Sequence, residues 1–180
     1  LTPGMQHTTT VVSLIIIKWN GKKFIHPCLS SLAQIKNPRI EIIVVDNNSS
    51  DDSVRYIKKT FPNVTIVVNK KNNGFAGGNN IGARAAVGQY VLFLNNDTKV
   101  TKEFLSPMIE ACERDPLAGC VQPEMRVMAH PDLLDEAGAY LTMSGFLYHY
   151  GYRKVHRLPM YRSPRVIFSA IGACMLIPKN

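Results

Sequence analysis

The chain has 180 residues, 46% of them hydrophobic, which allows one domain with a substantial core. Its longest apolar runs, such as Leu14–Ile17 and Val91–Leu94, fall far short of the ~20 residues that a membrane-spanning helix needs. The net charge of +8 is concentrated after Glu136, where the last 44 residues hold six Lys and Arg and no Asp or Glu. Such a region suits a polyanionic or phosphate-bearing ligand, an anionic lipid surface, or simply a solvated basic face.

The first ten residues lack the apolar stretch of a signal peptide and read as a flexible tail. Val11–Ile17 is a β-branched run suited to a strand covered on both faces. Phe24, Leu29, Leu32 and Ile35 then recur at roughly helical spacing, which predicts a helix over 22–35 with Pro27 near its start. Ile40–Asp46 is a second buried strand. The segment 47–61 predicts a helix with Ser and Asp at its start and lysines near its end.

Asn63–Asn69 is a third strand, and 72–88 a Gly- and Asn-rich loop running into a helix of small residues. Tyr90–Leu94 is a fourth strand that ends in Asn95, Asn96 and Asp97. A helix over 101–116 and a fifth strand or its remnant at 118–125 follow. Alternating strands and helices predict an α/β fold with a parallel sheet between helices. After Arg126 the pattern weakens into aromatics, glycines and prolines, read as loops and short strands over one sheet edge. Apolar segments resume around Gly172.

No two of Cys28, Cys112, Cys120 and Cys174 are spaced as CxxC, and no histidines cluster near them, which argues against zinc, and four buried free thiols are expected. In an open α/β sheet, ligands bind beyond the carboxyl ends of the strands. Three of those ends are polar: Trp19 and Asn20; Asp46, Asn47, Asn48 and Ser49; and Asn95, Asn96 and Asp97. The third strand leads into the Gly-rich loop, where Gly74, Gly77, Gly78 and Gly82 make neither a dinucleotide fingerprint nor a P-loop. Glycines there permit close approach of backbone to a ligand, and Asn73, Asn79 and Asn80 supply neutral donors and acceptors.

The stretches VSLIIIKWN, IEIIVVDNNSSDDS, NNGFAGGNNIGARAAVGQYVLFLNNDT and SAIGACMLIPK resemble the successive motifs of family 2 glycosyltransferases, nearest to the rhamnosyltransferase-like branch. The resemblance covers about 11–179. It implies a GT-A-type, Rossmann-like αβα sandwich with a mostly parallel central sheet. It also implies a nucleoside-diphosphate sugar as donor, Mg2+ or Mn2+ as cofactor, and inversion at the anomeric centre.

By position, the resemblance makes Asp46 a hydrogen-bond acceptor for the nucleobase, with Trp19, Asn20 and Asn48 around the nucleotide pocket. Asn73, Gly74, Gly78, Asn79 and Asn80 would lie against base or diphosphate. Asn95 replaces the first Asp of the family's DxD motif and would approach the ribose, Asp97 would hold the metal, and Asn96 would face away and shape the turn. Gly172 and Ala173 would floor the acceptor side. One carboxylate suffices for a metal when the substrate's phosphates supply other oxygens.

The family's general base lies in an acidic motif after GACML, so it is expected beyond Asn180 and the chain is expected to be truncated. Residues 11–126 would then form the nucleotide-sugar-binding half and 127–180 an incomplete acceptor-side region. A glycan or lipid-linked acceptor, and a cytoplasmic location at the inner face of a membrane, follow from the same resemblance. A nucleotide-sugar-binding fragment without activity is the main alternative. A sugar-nucleotide pyrophosphorylase is disfavoured because the turn KWNGKK holds one glycine. No nucleic-acid recognition motif accompanies the basic segment 140–165.

Overall fold

The computed structural model describes residues 11–36 and 38–179; the expected tail at 1–10 lies outside them. Four strands, β1 (Val11–Lys18), β2 (Arg39–Asp46), β3 (Thr65–Val68) and β4 (Tyr90–Asn95), pair in parallel. Two antiparallel ribbons follow, β5 (Met125–Val127) with β6 (His130–Glu136), and β7 (Ala139–Leu141) with β8 (Leu147–His149). The chain then returns as β9 (Cys174–Pro178), antiparallel to β4, giving a central sheet of order β3–β2–β1–β4–β9. The mostly parallel sheet and the αβα layering agree with the sequence.

Alternation along β1 decides which helix lies where. Val12, Leu14 and Ile16 face a core closed by α1 (Lys22–Leu32), α2 (Ser53–Thr60) and α4 (Leu105–Arg114). Ile15 and Ile17 face the opposite side, with Val45 and Ile81, under α3 (Gly74–Ala85). The handedness of crossovers explains the split. The chain steps outward from β1 to β3, then reverses to place β4 on the other side of β1. A right-handed return puts α3 on the opposite face. The reversal makes the gap between β1 and β4 the switch point, so their carboxyl ends diverge into a crevice.

Two expectations are corrected and a third is narrowed. The helix expected within 72–88 starts already at Gly74, the first glycine, so the loop before it is shorter than expected. Gly82 sits on the sheet so closely that a Cβ there would lie 2.4 Å from Ile15 Cγ2, so tertiary packing overrides the poor helix propensity of glycine. Pro27 lies in the middle of α1 rather than at its start. The ring removes the N–H that would donate to the carbonyl of Lys23, an exposed residue on the outer side of the helix. Of the fifth strand or remnant expected at 118–125 only the remnant forms: Val121 makes an isolated bridge to Leu176 of β9, and β5 pairs only with β6.

Cys28, Cys112 and Cys174 are buried free thiols as expected, but Cys120 is exposed. The basic residues after Glu136 are partly engaged locally. Arg157 pairs with Asp132 at 3.0 Å, and the Arg165 guanidinium lies 4.3 Å from the centre of the Tyr150 ring. Among the described residues, no helix is long and apolar enough to cross a membrane.

Candidate functional site

At the switch point lies a cleft of about 310 Å³. Its walls are Trp19 beyond β1, Asn95, Asn96 and Asp97 beyond β4, and Gly74 and Phe75 at the start of α3. Ile17, Asn47 and Asn72 complete the lining. Of the residues singled out in the sequence, six converge here: Trp19, Asn47, Gly74, Asn95, Asn96 and Asp97. Asn96 faces the same cleft as its neighbours instead of turning away.

The β4 tail is shaped by hydrogen bonds to one carbonyl. The Thr98 hydroxyl and the Thr98 backbone N–H both donate to Asn95 O, at 2.7 and 3.3 Å, closing a tight turn over Asn95–Thr98. From the other side, Asn95 N donates to Ala173 O at 2.9 Å, so the residue before β9 holds the tail from the neighbouring edge of the sheet. Gly172 abuts the cleft wall: a Cβ there would sit 3.3 Å from the Phe75 ring.

The opposite wall is held by amides. Asn47, 2% exposed, donates through Nδ2 to Gly74 O at 3.0 Å and accepts from Asn69 Nδ2 at 2.8 Å. Gly74 has φ of 69°, a conformation that glycine adopts freely. That turn carries the chain into α3 and leaves Phe75 exposed at the rim. Asn72, not Asn73, secures the turn, its Oδ1 accepting from Gly74 N at 2.8 Å. Asn73 instead donates to Lys71 O.

Asp46 is placed differently from expectation. It is 1% exposed, and its Oδ1 lies 3.2 Å from Lys18 Nζ while Oδ2 accepts from Ser49 N at 3.0 Å. Both oxygens are thus engaged beneath the cleft. Lys18, itself fully buried, also donates to Ser49 Oγ at 2.8 Å and approaches Asp51 at 3.3 Å. Burial tends to raise the Asp51 carboxyl, but the Ser53 hydroxyl and backbone N–H and the Lys18 ammonium outweigh it, and the net direction is down.

Asn20 and Asn48 adopt left-handed backbone with φ of 54° and 63°, which asparagine tolerates better than most residues. Asn20 Oδ1 accepts from Ser50 N at 2.9 Å, tying β1 to the turn before α2. Neither residue lines the cleft, and neither do Gly78, Asn79 and Asn80 along α3. Gly78 packs on Asn47 and Ile17, so its lack of a side chain serves helix-to-sheet contact.

Lys18, Asn72 and Phe75 were missed. Lys18 has a visible signal, a lone charge closing an apolar strand. Phe75 has another, a single large side chain among glycines. Nothing in the sequence separates Asn72 from Asn73.

The only formal charge on the lining is the Asp97 carboxylate, which is exposed and engaged by no ion pair among the described residues. A diphosphate placed here would meet that carboxylate directly, so a divalent cation between them fits the donor set. Among the described residues no group of three or more His, Cys, Asp or Glu could cage a metal alone, so phosphate oxygens would have to complete the shell.

An uncharacterized glycosyltransferase of Haemophilus influenzae is 29% identical over 135 residues, 73% of this chain and 43% of that protein. A poly(ribitol-phosphate) beta-glucosyltransferase of Bacillus spizizenii is 33% identical over 100 residues, 52% of this chain and 16% of its own length. The mannosyltransferase PcManGT of Pyrobaculum calidifontis, solved with GDP-Man and Mn2+, superposes with a TM-score of 0.57 at 25% identity, covering 64% of this chain and 35% of that one. The chain therefore spans less than half the length of each. The profile of glycosyl transferase family 2 matches residues 13–179, and the chain belongs to that family.

Proposed function

We propose that the switch-point cleft binds the nucleoside-diphosphate part of a sugar donor, and that the protein transfers that sugar, with inversion, to a glycan or lipid-linked acceptor in cell-surface polysaccharide synthesis. The observation that carries the reading is the convergence of Trp19, Phe75, Asn95 and Asp97 on one cleft at the reversal of strand order. Trp19 and Phe75 are 60% and 52% exposed and offer flat apolar faces to a base or ribose. Asn95 offers an amide to a ribose hydroxyl without adding negative charge.

Asp97 would hold Mg2+ or Mn2+, and the bound cation would neutralise the departing diphosphate. A mannosyltransferase of like fold, solved with GDP-Man and Mn2+, supports both the donor class and the metal. A relative named for poly(ribitol-phosphate) supports a cell-surface polymer as the product. The exposed Met143 and Phe146 within the basic segment, and Val166 and Phe168 just after it, favour peripheral contact with a membrane surface.

A thermal-shift panel tests the reading with UDP-, dTDP- and GDP-sugars, dTDP-rhamnose included, each with and without Mn2+. At least one donor should raise the Tm, and more so with metal. A panel with no shift would remove the donor-site assignment.

A further inference from the structure

A second concavity, of about 440 Å³, lies among the antiparallel ribbons rather than at the strand ends. Leu147, Tyr148, Tyr152 and Ile171 give it largely apolar walls, and Asp135, Glu136 and His149 supply its polar groups. Tyr148 and Tyr152 are 53% and 55% exposed, aromatic faces kept in water around a hollow. The Arg153 guanidinium lies 5.7 Å from the centre of the Tyr152 ring and braces it.

The polar groups are organised. The Glu136 side chain is 3% exposed, and its Oε2 lies 2.7 Å from His149 Nδ1. The contact uses Nδ1, which leaves the Nε2 of the same ring for other partners. His149 itself is half exposed, so that nitrogen is within reach of a ligand.

The hollow borders the switch-point cleft. Ile171 lines it, and the next residue, Gly172, packs against Phe75, which lines the cleft. One ridge thus separates the two. Gln122 fixes that ridge by accepting from Ile171 N at 2.7 Å. Its Nε2 is a buried donor with no partner among the described residues.

We propose that this hollow is the acceptor subsite and takes a neutral pyranose ring. The apolar C–H face of the ring lies on Tyr148 and Tyr152, and its hydroxyls bond to the Asp135 carboxylate and His149 Nε2. A pyranose has one apolar face and a polar rim, which matches aromatic walls with acceptors at the edge. The fixed charges of the lining, Asp135 and Glu136, disfavour a phosphodiester at the same place. The acceptor role rests on the donor reading of the neighbouring cleft; the saccharide contact does not.

Saturation-transfer NMR tests this with the methyl glycosides of glucose, N-acetylglucosamine and rhamnose, with ribitol 5-phosphate, and with UDP, dTDP and GDP plus Mg2+ in parallel samples. At least one glycoside should show transfer to its ring C–H protons. Tyr148→Ala and Tyr152→Ala should each weaken it by roughly twofold to tenfold, the size of one aromatic contact. His149→Ala should weaken it as well, and nucleotide binding should stay unchanged in all three variants. No glycoside signal, a signal unaffected by the tyrosine variants, or binding of ribitol 5-phosphate alone would each overturn the proposal. Nucleotide binding without glycoside binding sinks this inference and leaves the donor reading standing. Glycoside binding without nucleotide binding overturns the acceptor role together with the donor reading.

Discussion

The Lys18 ammonium and the Asp46 carboxylate lie 3.2 Å apart with almost no solvent access, and tie the end of β1 to the end of β2. Removing one partner of a buried pair leaves an uncompensated charge, which costs about 3–5 kcal/mol. Lys18→Met should lose stability on that scale in urea unfolding. Lys18→Met/Asp46→Leu should lose less than the single variant, because no lone charge remains at position 46. A double variant that is less stable than Lys18→Met would contradict the pairing.

Asp51 gives the pH dependence. Its folded-state pKa lies below the ordinary 3.8, because Ser53 and Lys18 favour the ionised form more than burial disfavours it. A depressed carboxyl stabilises the fold above its unfolded pKa, and the contribution is lost as pH falls through the folded value. Wild type should therefore lose stability below about pH 4 more steeply than Asp51→Asn, as read by chemical unfolding across pH. Identical acid limbs would remove Asp51 from the network.

Burial also controls the thiols. Cys28 and Cys174 are pushed up to about 12, chiefly by desolvation, and Cys112 is raised for the same reason. The thiolate is the reactive species, so these three should be inert in the folded state. A thiol-reactive dye at pH 8 should label Cys120 alone in native protein, and all four cysteines in denaturant.

Gly82→Ala tests the helix-on-sheet contact. A Cβ would lie 2.4 Å from Ile15 Cγ2 and 3.1 Å from Val45 Cγ2. Overpacking of this kind costs about 1–3 kcal/mol. Gly119, with nothing within 4 Å, is the control, and its change to Ala should move stability by about 0.5 kcal/mol at most.

The buried strands were legible because β-branched runs such as Val11–Ile17 have one plausible environment, a sheet covered on both faces. The polar strand ends then located the cleft, since topology fixes where a parallel sheet binds ligands. The start of the helix at Gly74 was not legible, because Gly74, Gly77 and Gly78 read as loop, whereas packing of this helix on the sheet, closest at Gly82 against Ile15 and Val45, holds them helical. The buried pairing of Asp46 was not legible for a related reason. Its partner Lys18 lies 28 residues away, and only strand pairing brings the two together. The ribbons β5–β8 carry weak periodicity because much of their surface is exposed, so nothing along the chain announced the hollow between them.

The donor reading is tested most directly by calorimetric titration of UDP, dTDP and GDP, each with and without Mn2+, into wild type and Asp97→Ala. Asp97 is exposed and unpaired among the described residues, so the variant should fold normally. At least one nucleotide should bind wild type more tightly with metal, by roughly tenfold or more, and this gain should vanish in Asp97→Ala. Metal-dependent binding that persists in full in the variant, or no nucleotide binding at all, would contradict the account.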